Sequence, residues 1–310
     1  MHWFFNCNNY DERAIKALVF SGFKHNPHFI PICIWDEPKK NKQIGLRNWL
    51  EERGVLIVDH KPILDLSKQF DIIKQASDNM GWDINPLTVN GCWQKVDVPK
   101  LCYDLEINDK YVLLTDPDCL WVDTFNLEEK PPILAAACEE EPFEHYISGG
   151  IYVWNIPRAI NDYNHFLFYC MQNFDKLGHG DNVAYLKYYG YKNLTILSPD
   201  WNYKSYWKKL DDGYLLSPKE KVKFKATPRL LHFQGHSKPW MKFPRYYVKW
   251  YGEDIVSQLE DFNKLWRQYF EQAEMSNFKF DANVTEIEKF DNDEIKVVPV
   301  NRICQLIPTI

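Results

Sequence analysis

The first sixty residues alternate three short apolar runs with two amphipathic ones: HWFFNC then DERAIKALVFSGF, FIPICIW then NKQIGLRNWLEERG, and finally GVLIVDH. Runs dense in Ile, Val, Phe and Trp suit strands, whereas the intervening segments repeat their apolar residues at helical spacing. This β-α-β-α-β order restricts the fold severely, because parallel strands need a crossover and the crossover helix must bury its apolar stripe against the sheet. The expectation is an α/β chain with a mixed, mostly parallel sheet flanked by helices.

The pattern continues beyond a polar, Trp-containing stretch. A helix is expected over Val98 to Asn108 and a strand over Tyr111 to Thr115. ILAAAC and GIYVWN read as inner strands, and PRAINDYNHFLFYCMQNF and GDNVAYLKYYG as helices. Ile255, Leu259, Phe262, Trp266, Tyr269 and Phe270 recur at helical spacing, so a C-terminal amphipathic helix should pack on the main domain. The expected division is a main domain over 1–250, this helix over 251–275, and a tail over 276–310 that docks, swaps or meets a partner, including a second copy of the chain.

Composition sets limits. With 45% hydrophobic and 16% aromatic residues in 310, a sizeable core can form. A formal charge of −6 excludes a surface devoted as a whole to nucleic acid or anionic membrane. The eight cysteines include no C-x-x-C and mostly sit in apolar runs, as buried reduced thiols of a cytosolic protein would. The sequence has no leader-like start and no apolar run of membrane-spanning length, so a soluble, cytoplasmic protein is expected. It also has no P-loop and no G-x-G-x-x-G.

Two features carry chemistry. In YVLLTDPDCLWVD, Asp116 and Asp118 flank Pro117 directly after an apolar run. If the extended geometry persists, residues two apart share a side, and Pro117 ends ladder pairing at the strand's C-terminal edge, where open α/β sheets bind ligands. Two hard oxygen donors there suit Mg²⁺ or Mn²⁺. Composition predicts about two D-x-D triplets by chance, and two occur, but Asp291-Asn292-Asp293 lacks a preceding strand. The second feature is LLHFQGHSKPW, in which His232 offers an imidazole, Gly235 a backbone able to approach an anion, and Lys238 a cation. His236 is an alternative ligand.

Together, VLLTDPDCLWVD and HFQGHSKPW resemble the glycosyltransferases of the glycogenin and lipopolysaccharide galactosyltransferase type, family 8. These have a GT-A fold, a D-x-D motif and a downstream H-x-x-G-x-x-K-P-W motif. The resemblance runs over about residues 1 to 245. It implies that Asp116, Asp118 and His232 hold a divalent metal, Mn²⁺ or Mg²⁺, and that Gly235 and Lys238 contact the diphosphate of a nucleotide-sugar, typically UDP-linked. Lys100, sixteen positions before Asp116, falls where the family has a donor-reaching lysine. Ser148 and Gly149 match its Asn-Ser-Gly strand over the donor sugar, with Ile147 in place of asparagine. Asp181 and Asn182 match its Asp-Gln helix opening, Asp181 lying beside the reacting centre. Tyr10 echoes its base-stacking tyrosine.

The implied activity is metal-dependent transfer of a hexosyl or pentosyl group to an acceptor hydroxyl, with retention. Lys238 and Asp181 are then the catalytic candidates. Two rivals are a haloacid dehalogenase-like phosphatase with Asp116 as nucleophile, and a non-catalytic nucleotide-sugar or glycan binding module. Twelve Lys/Arg against three Asp/Glu between Tyr203 and Lys249, interleaved with aromatics, leave room for an anionic acceptor such as a phosphorylated glycan or nucleic acid.

Overall fold

Seven strands form one sheet, and their order places the acidic triplet at its middle. A computed structural model describes residues 1–7, 11–36, 44–64, 66–79, 86–139, 146–178, 180–216, 223–235, 238–241 and 254–281. Strands β1 (His2–Cys7), β2 (Ile30–Trp35) and β3 (Leu56–Asp59) alternate with helices α1 (Glu12–His25) and α2 (Ile44–Glu52). Next come α3 (Phe70–Asn79), α4 (Pro86–Gln94), α5 (Val98–Asp104), β4 (Tyr111–Thr115), β5 (Cys119–Trp121), β6 (Leu134–Cys138) and β7 (Ile147–Asn155). The sheet order is β3-β2-β1-β4-β7-β6-β8, where β8 is Thr195–Leu197. β7 runs antiparallel to both neighbours and every other pairing is parallel, as the crossover argument requires.

The core lies on both faces of this sheet. Trp3, Phe5 and Cys7 of β1 point to one layer and Phe4 to the other, so a strand buried on both sides reads as an unbroken apolar run. Gly22 of α1 is needed for close packing, since a Cβ there would lie 2.5 Å from the Trp3 ring. The Trp3 indole N–H donates to Thr115 Oγ1 at 2.9 Å, tying β1 to the last residue of β4. Burying such an aromatic stabilises the fold by roughly 1.5–3 kcal/mol.

Helices α6 (Ile156–Leu177) and α7 (Asp181–Tyr189) follow β7. The final described helix, α8 (Asp254–Met275), joins the core through Trp266, Tyr269 and Ala273. Lys16 of α1 bridges to Glu274 at 2.8 Å, and Phe278 and Phe280 beyond the helix pack with Phe20 and Phe23. The predicted C-terminal helix therefore does pack on the main domain. Residues 282–310, most of the predicted tail, lie outside the described residues. Helices α3 and α4 occupy the polar, Trp-containing stretch for which no element is expected, and the helix expected to Asn108 ends at Asp104. The seven described cysteines are thiols, six of them buried. No described helix is long and apolar enough to cross a membrane.

Candidate active site

Asp116 and Asp118 do share a side, but through a turn and not through continued extension. The Cys119 N–H donates to Asp116 O at 3.3 Å, closing a four-residue turn with Pro117 at its second position, the place its fixed φ suits. The Asp116 N–H is held by Gly150 O at 3.0 Å. The turn launches β5, a short strand of a second sheet ordered β5-β13-β9, in which β9 is Tyr203–Lys204 and β13 is Leu230–His232.

That second sheet brings the two sequence motifs together. β13 runs antiparallel to β5 with His232 opposite Cys119, and the Phe233 N–H donates to Asp118 O at 2.9 Å. His232 Nε2 then lies 3.3 Å from Asp118 Oδ1 and 3.7 Å from Asp116 Oδ2, while Nδ1 faces Asn202 Oδ1 at 2.7 Å. β7 presses against this pair from behind: a Cβ at Gly150 would sit 2.6 Å from Asn202 Oδ1.

His232 Nε2 approaches an oxygen of each carboxylate, a donor set of the kind that suits a divalent cation. Among the described residues, the candidate ligand atoms that all lie within 4.8 Å of one another are those of Asp118, Cys119 and His232. Burial holds the Cys119 thiol well above its ordinary pKa, and it faces Gly150 O at 3.5 Å.

Sequence reasoning missed Lys95. Its ammonium, 4% exposed, donates to Asp116 Oδ1 at 2.9 Å and Gly149 O at 3.2 Å and pairs with Asp181 Oδ1 at 3.3 Å. Burial pulls its pKa down, but Asp116 and Asp181 outweigh burial and hold it well above the usual lysine range. A lysine amid the apolar run GCWQKV was the available signal, because a buried charge needs a partner.

Lys100 pairs with Asp104 one turn along α5, whereas the contacts to the carboxylates come from Lys95.

Lys238 contacts Asp118 Oδ2 and donates to Phe233 O at 2.7 Å. Gly235, at φ +71°, supplies the left-handed residue that turns the chain between His232 and this lysine. Burial would raise the Asp118 pKa, but Lys238 and His232 hold it far below the ordinary carboxylate value. Asp181, at the start of α7, shifts the opposite way: burial raises its pKa despite Lys95. Its Oδ2 is buried and, among the described residues, neither it nor the neighbouring Tyr152 hydroxyl completes a hydrogen bond of good geometry.

The other expected residues are placed as follows. Asn182 donates from Nδ2 to Ile147 O at 2.8 Å, fastening α7 to β7. Gly149 allows Lys95 to approach, since a Cβ there would lie 2.8 Å from Nζ. Ser148 is buried, with its hydroxyl turned to Asn202 at 3.2 Å. Tyr10 and His236 lie outside the described residues. Part of the basic stretch is internally paired, Lys204 with Glu139, Lys223 with Asp212, and Arg229 with Asp123 and Glu128.

No family model and no curated protein matches the sequence. Solved structures do match the fold. The galactosyltransferase LgtC, in complex with donor and acceptor sugar analogues, superposes with a TM-score of 0.53 at 14% identity over 87% of this chain and 100% of its own. The glycosyltransferase GlyE of Streptococcus pneumoniae TIGR4 gives 0.53 at 17% identity, covering 86% of this chain and 64% of its own. The bifunctional glycosyltransferase WbbM gives 0.51 at 15% identity, covering 89% of this chain and 52% of its own. The chain thus spans less than two thirds of GlyE and all of LgtC. Its fold is the GT-A glycosyltransferase fold.

Proposed function

We propose that the protein is a metal-dependent glycosyltransferase of the family 8 type, which takes a sugar from a nucleotide donor, UDP-linked, and passes it to an acceptor hydroxyl with retention. The observation that carries this reading is the meeting of Asp116, Asp118 and His232 beside two lysines at the C-terminal edge of the parallel strands. A GT-A fold supports it.

The donor set fits a divalent ion, Mn²⁺ or Mg²⁺, which Asp116, Asp118 and His232 would hold. When bound, the ion supplies Lewis-acid stabilisation to the departing diphosphate. Lys238 then serves as a fixed cation for the same charge, on a loop that Gly235 brings close to the phosphates. Lys95 holds Asp116 oriented. Asp181, paired with Lys95 and beside the Tyr152 hydroxyl, sits behind the carboxylate turn, from where its charge would help to steady the sugar as oxocarbenium character develops.

The phosphatase alternative is not favoured. A nucleophilic aspartate needs an approachable carboxylate, whereas Asp116 Oδ1 is clamped by Lys95 and its Oδ2 faces His232.

A panel of nucleotide-sugars, screened with Mn²⁺ for thermal stabilisation and hydrolysis, tests donor, sugar and metal together. The reading predicts stabilisation by one donor only when the metal is present. Divalent-dependent donor turnover that survives combined Asp116→Ala and Asp118→Ala changes would overturn it. The acceptor, a glycan or other hydroxyl compound, is proposed to be anionic, so its affinity should fall with added salt; an affinity indifferent to salt would remove that part.

A further inference from the structure

His232 shows the site only one of its ring nitrogens, and the other ends a chain of hydrogen bonds that begins at a lysine with no exposed surface. We propose that Lys204, Ser148 and Asn202 form a directed relay that fixes His232 as the Nδ1–H tautomer and keeps Nε2 bare towards Asp116 and Asp118, so that Lys204 is a positioning residue for metal binding. The inference rests on the metal-site reading above and adds residues that lie behind it.

The direction follows from counting donors. An ammonium has three donors and no acceptor. Lys204 Nζ meets three oxygens, Glu139 Oε2 at 3.1 Å, Ser148 Oγ at 3.4 Å and Gln234 Oε1 in close contact. Ser148 Oγ must therefore accept from Lys204, and it also accepts from the Gly150 N–H at 3.3 Å. With both lone pairs engaged, its one proton goes to Asn202 Oδ1 at 3.2 Å.

The Asn202 amide cannot be reversed, because its Nδ2 donates to Cys138 O at 3.2 Å and a flip would set two oxygens against each other. Oδ1 then faces His232 Nδ1 at 2.7 Å. Two lone pairs at that distance would repel, so Nδ1 carries the proton. A neutral imidazole has only one, so Nε2 is left as the metal-facing base; the imidazolium, protonated at both nitrogens, is the form that pairs with Asp118 and lowers its pKa.

The elements hold this order rigidly. Lys204 sits beside His232 in the β9–β13 pairing, and the missing Cβ of Gly150 lets the Asn202 and His232 side chains pack directly against the β7 backbone. Without the ammonium, Ser148 Oγ loses the donor that directs its proton to Asn202 Oδ1, and the oxygen that faces His232 is left on an amide oriented by Cys138 O alone.

Two measurements test the relay. In ¹⁵N-labelled, metal-free protein at alkaline pH, long-range ¹H–¹⁵N correlation, assigned with His232→Gln, should show a protonated Nδ1 and a pyridine-like Nε2. A protonated Nε2 there overturns the proposal. Calorimetric titration with Mn²⁺ should show about 10- to 100-fold weaker binding for Asn202→Ala, with smaller losses and mixed tautomers for Ser148→Ala and Lys204→Met. Should Lys204→Met fail to fold because Glu139 loses its partner, Ser148→Ala keeps the Lys204–Glu139 pair and decides the matter. Parent-like Mn²⁺ affinity in both Asn202→Ala and Ser148→Ala also overturns the relay. Mn²⁺ binding untouched by Asp116→Ala and Asp118→Ala would instead remove the metal site, and the tautomer spectrum would still judge the relay alone.

Discussion

Lys95 and Lys238 each neutralise one carboxylate of the Asp116-Pro117-Asp118 turn, but the first is built into the core and the second is carried on a loop. Lys95 enters from the segment joining α4 to α5, and three oxygens, from the turn after β4, from β7 and from α7, surround it. Lys238 reaches Asp118 from beyond the left-handed turn at Gly235. The same pairing of charges thus serves two ends. A saturated, enclosed ammonium organises the carboxylates, whereas one on a loop can exchange a carboxylate for a phosphate. The contrast separates what holds the site together from what acts on substrate.

The comparison breaks most visibly if its shared element is removed. Asp116→Ala or Asp118→Ala should abolish donor turnover almost completely, measured as nucleotide release, since each change deletes a proposed metal ligand and strands a lysine. Retained Mn²⁺-dependent release in either variant would detach the turn from the chemistry.

The two lysines should then fail in different assays. Lys95→Met leaves Asp116 and Asp181 without their cation in a buried setting, and breaking such a pair costs roughly 3–5 kcal/mol of stability. Chemical unfolding should show that loss directly. Lys238→Ala should leave the unfolding curve nearly in place and lower turnover about a hundred- to thousand-fold, or about 2.7–4 kcal/mol of transition-state stabilisation. If Lys95→Met were stable and merely slow, the division between scaffold and reagent would be wrong.

The same division appears in the pH dependence of the aspartates. Asp118, held below its ordinary value of 3.8 by Lys238 and His232 against the effect of burial, adds stability that is present above 3.8 and lost as pH falls through its lower folded value. Asp181 is raised by burial, so its contribution is full below 3.8 and is lost as pH rises through the folded value. Melting temperature against pH for Asp181→Asn, relative to the parent, should be level at low pH and move in the variant's favour above the ordinary carboxylate value. A shift in the parent's favour would mean that Lys95 governs the Asp181 carboxyl more strongly than burial does.

Much of this site was legible because its acting residues lie in short contiguous motifs. DPD follows a strand, and HFQGHSKPW spaces an imidazole, a flexible backbone and a cation within one loop, so residue type and order alone suggested a cation and a diphosphate. The supporting residues are not local. Lys95, Asn202 and Lys204 come from separate segments whose neighbours look like ordinary core, and only the pairing of β5, β13 and β9 brings the last two to His232. The sheet was legible from the β1 to β3 alternation for the same reason that the motifs were: its signal is periodic and local. The shared side of the carboxylates was expected on condition that extension persisted; proline at the second position of a tight turn explains both that shared side and the start of β5.

The smallest expected effect tests whether Lys100 stands outside the comparison altogether. Its position sixteen residues before Asp116 made it the sequence candidate for the donor-reaching lysine. In the fold it lies on α5, paired with Asp104 in an i,i+4 arrangement in which the lysine side chain is 24% exposed and the aspartate 47%. Such a surface pair contributes about 0.3–0.5 kcal/mol, screened further by salt. Lys100→Ala should therefore shift unfolding by no more than that and leave donor hydrolysis unchanged, in one preparation assayed beside Lys95→Met. A hundred-fold loss of hydrolysis in Lys100→Ala with normal stability would return the donor role to α5 and reduce Lys95 to a counter-charge, because two lysines from opposite ends of one short segment cannot both be the sole cation that orders Asp116.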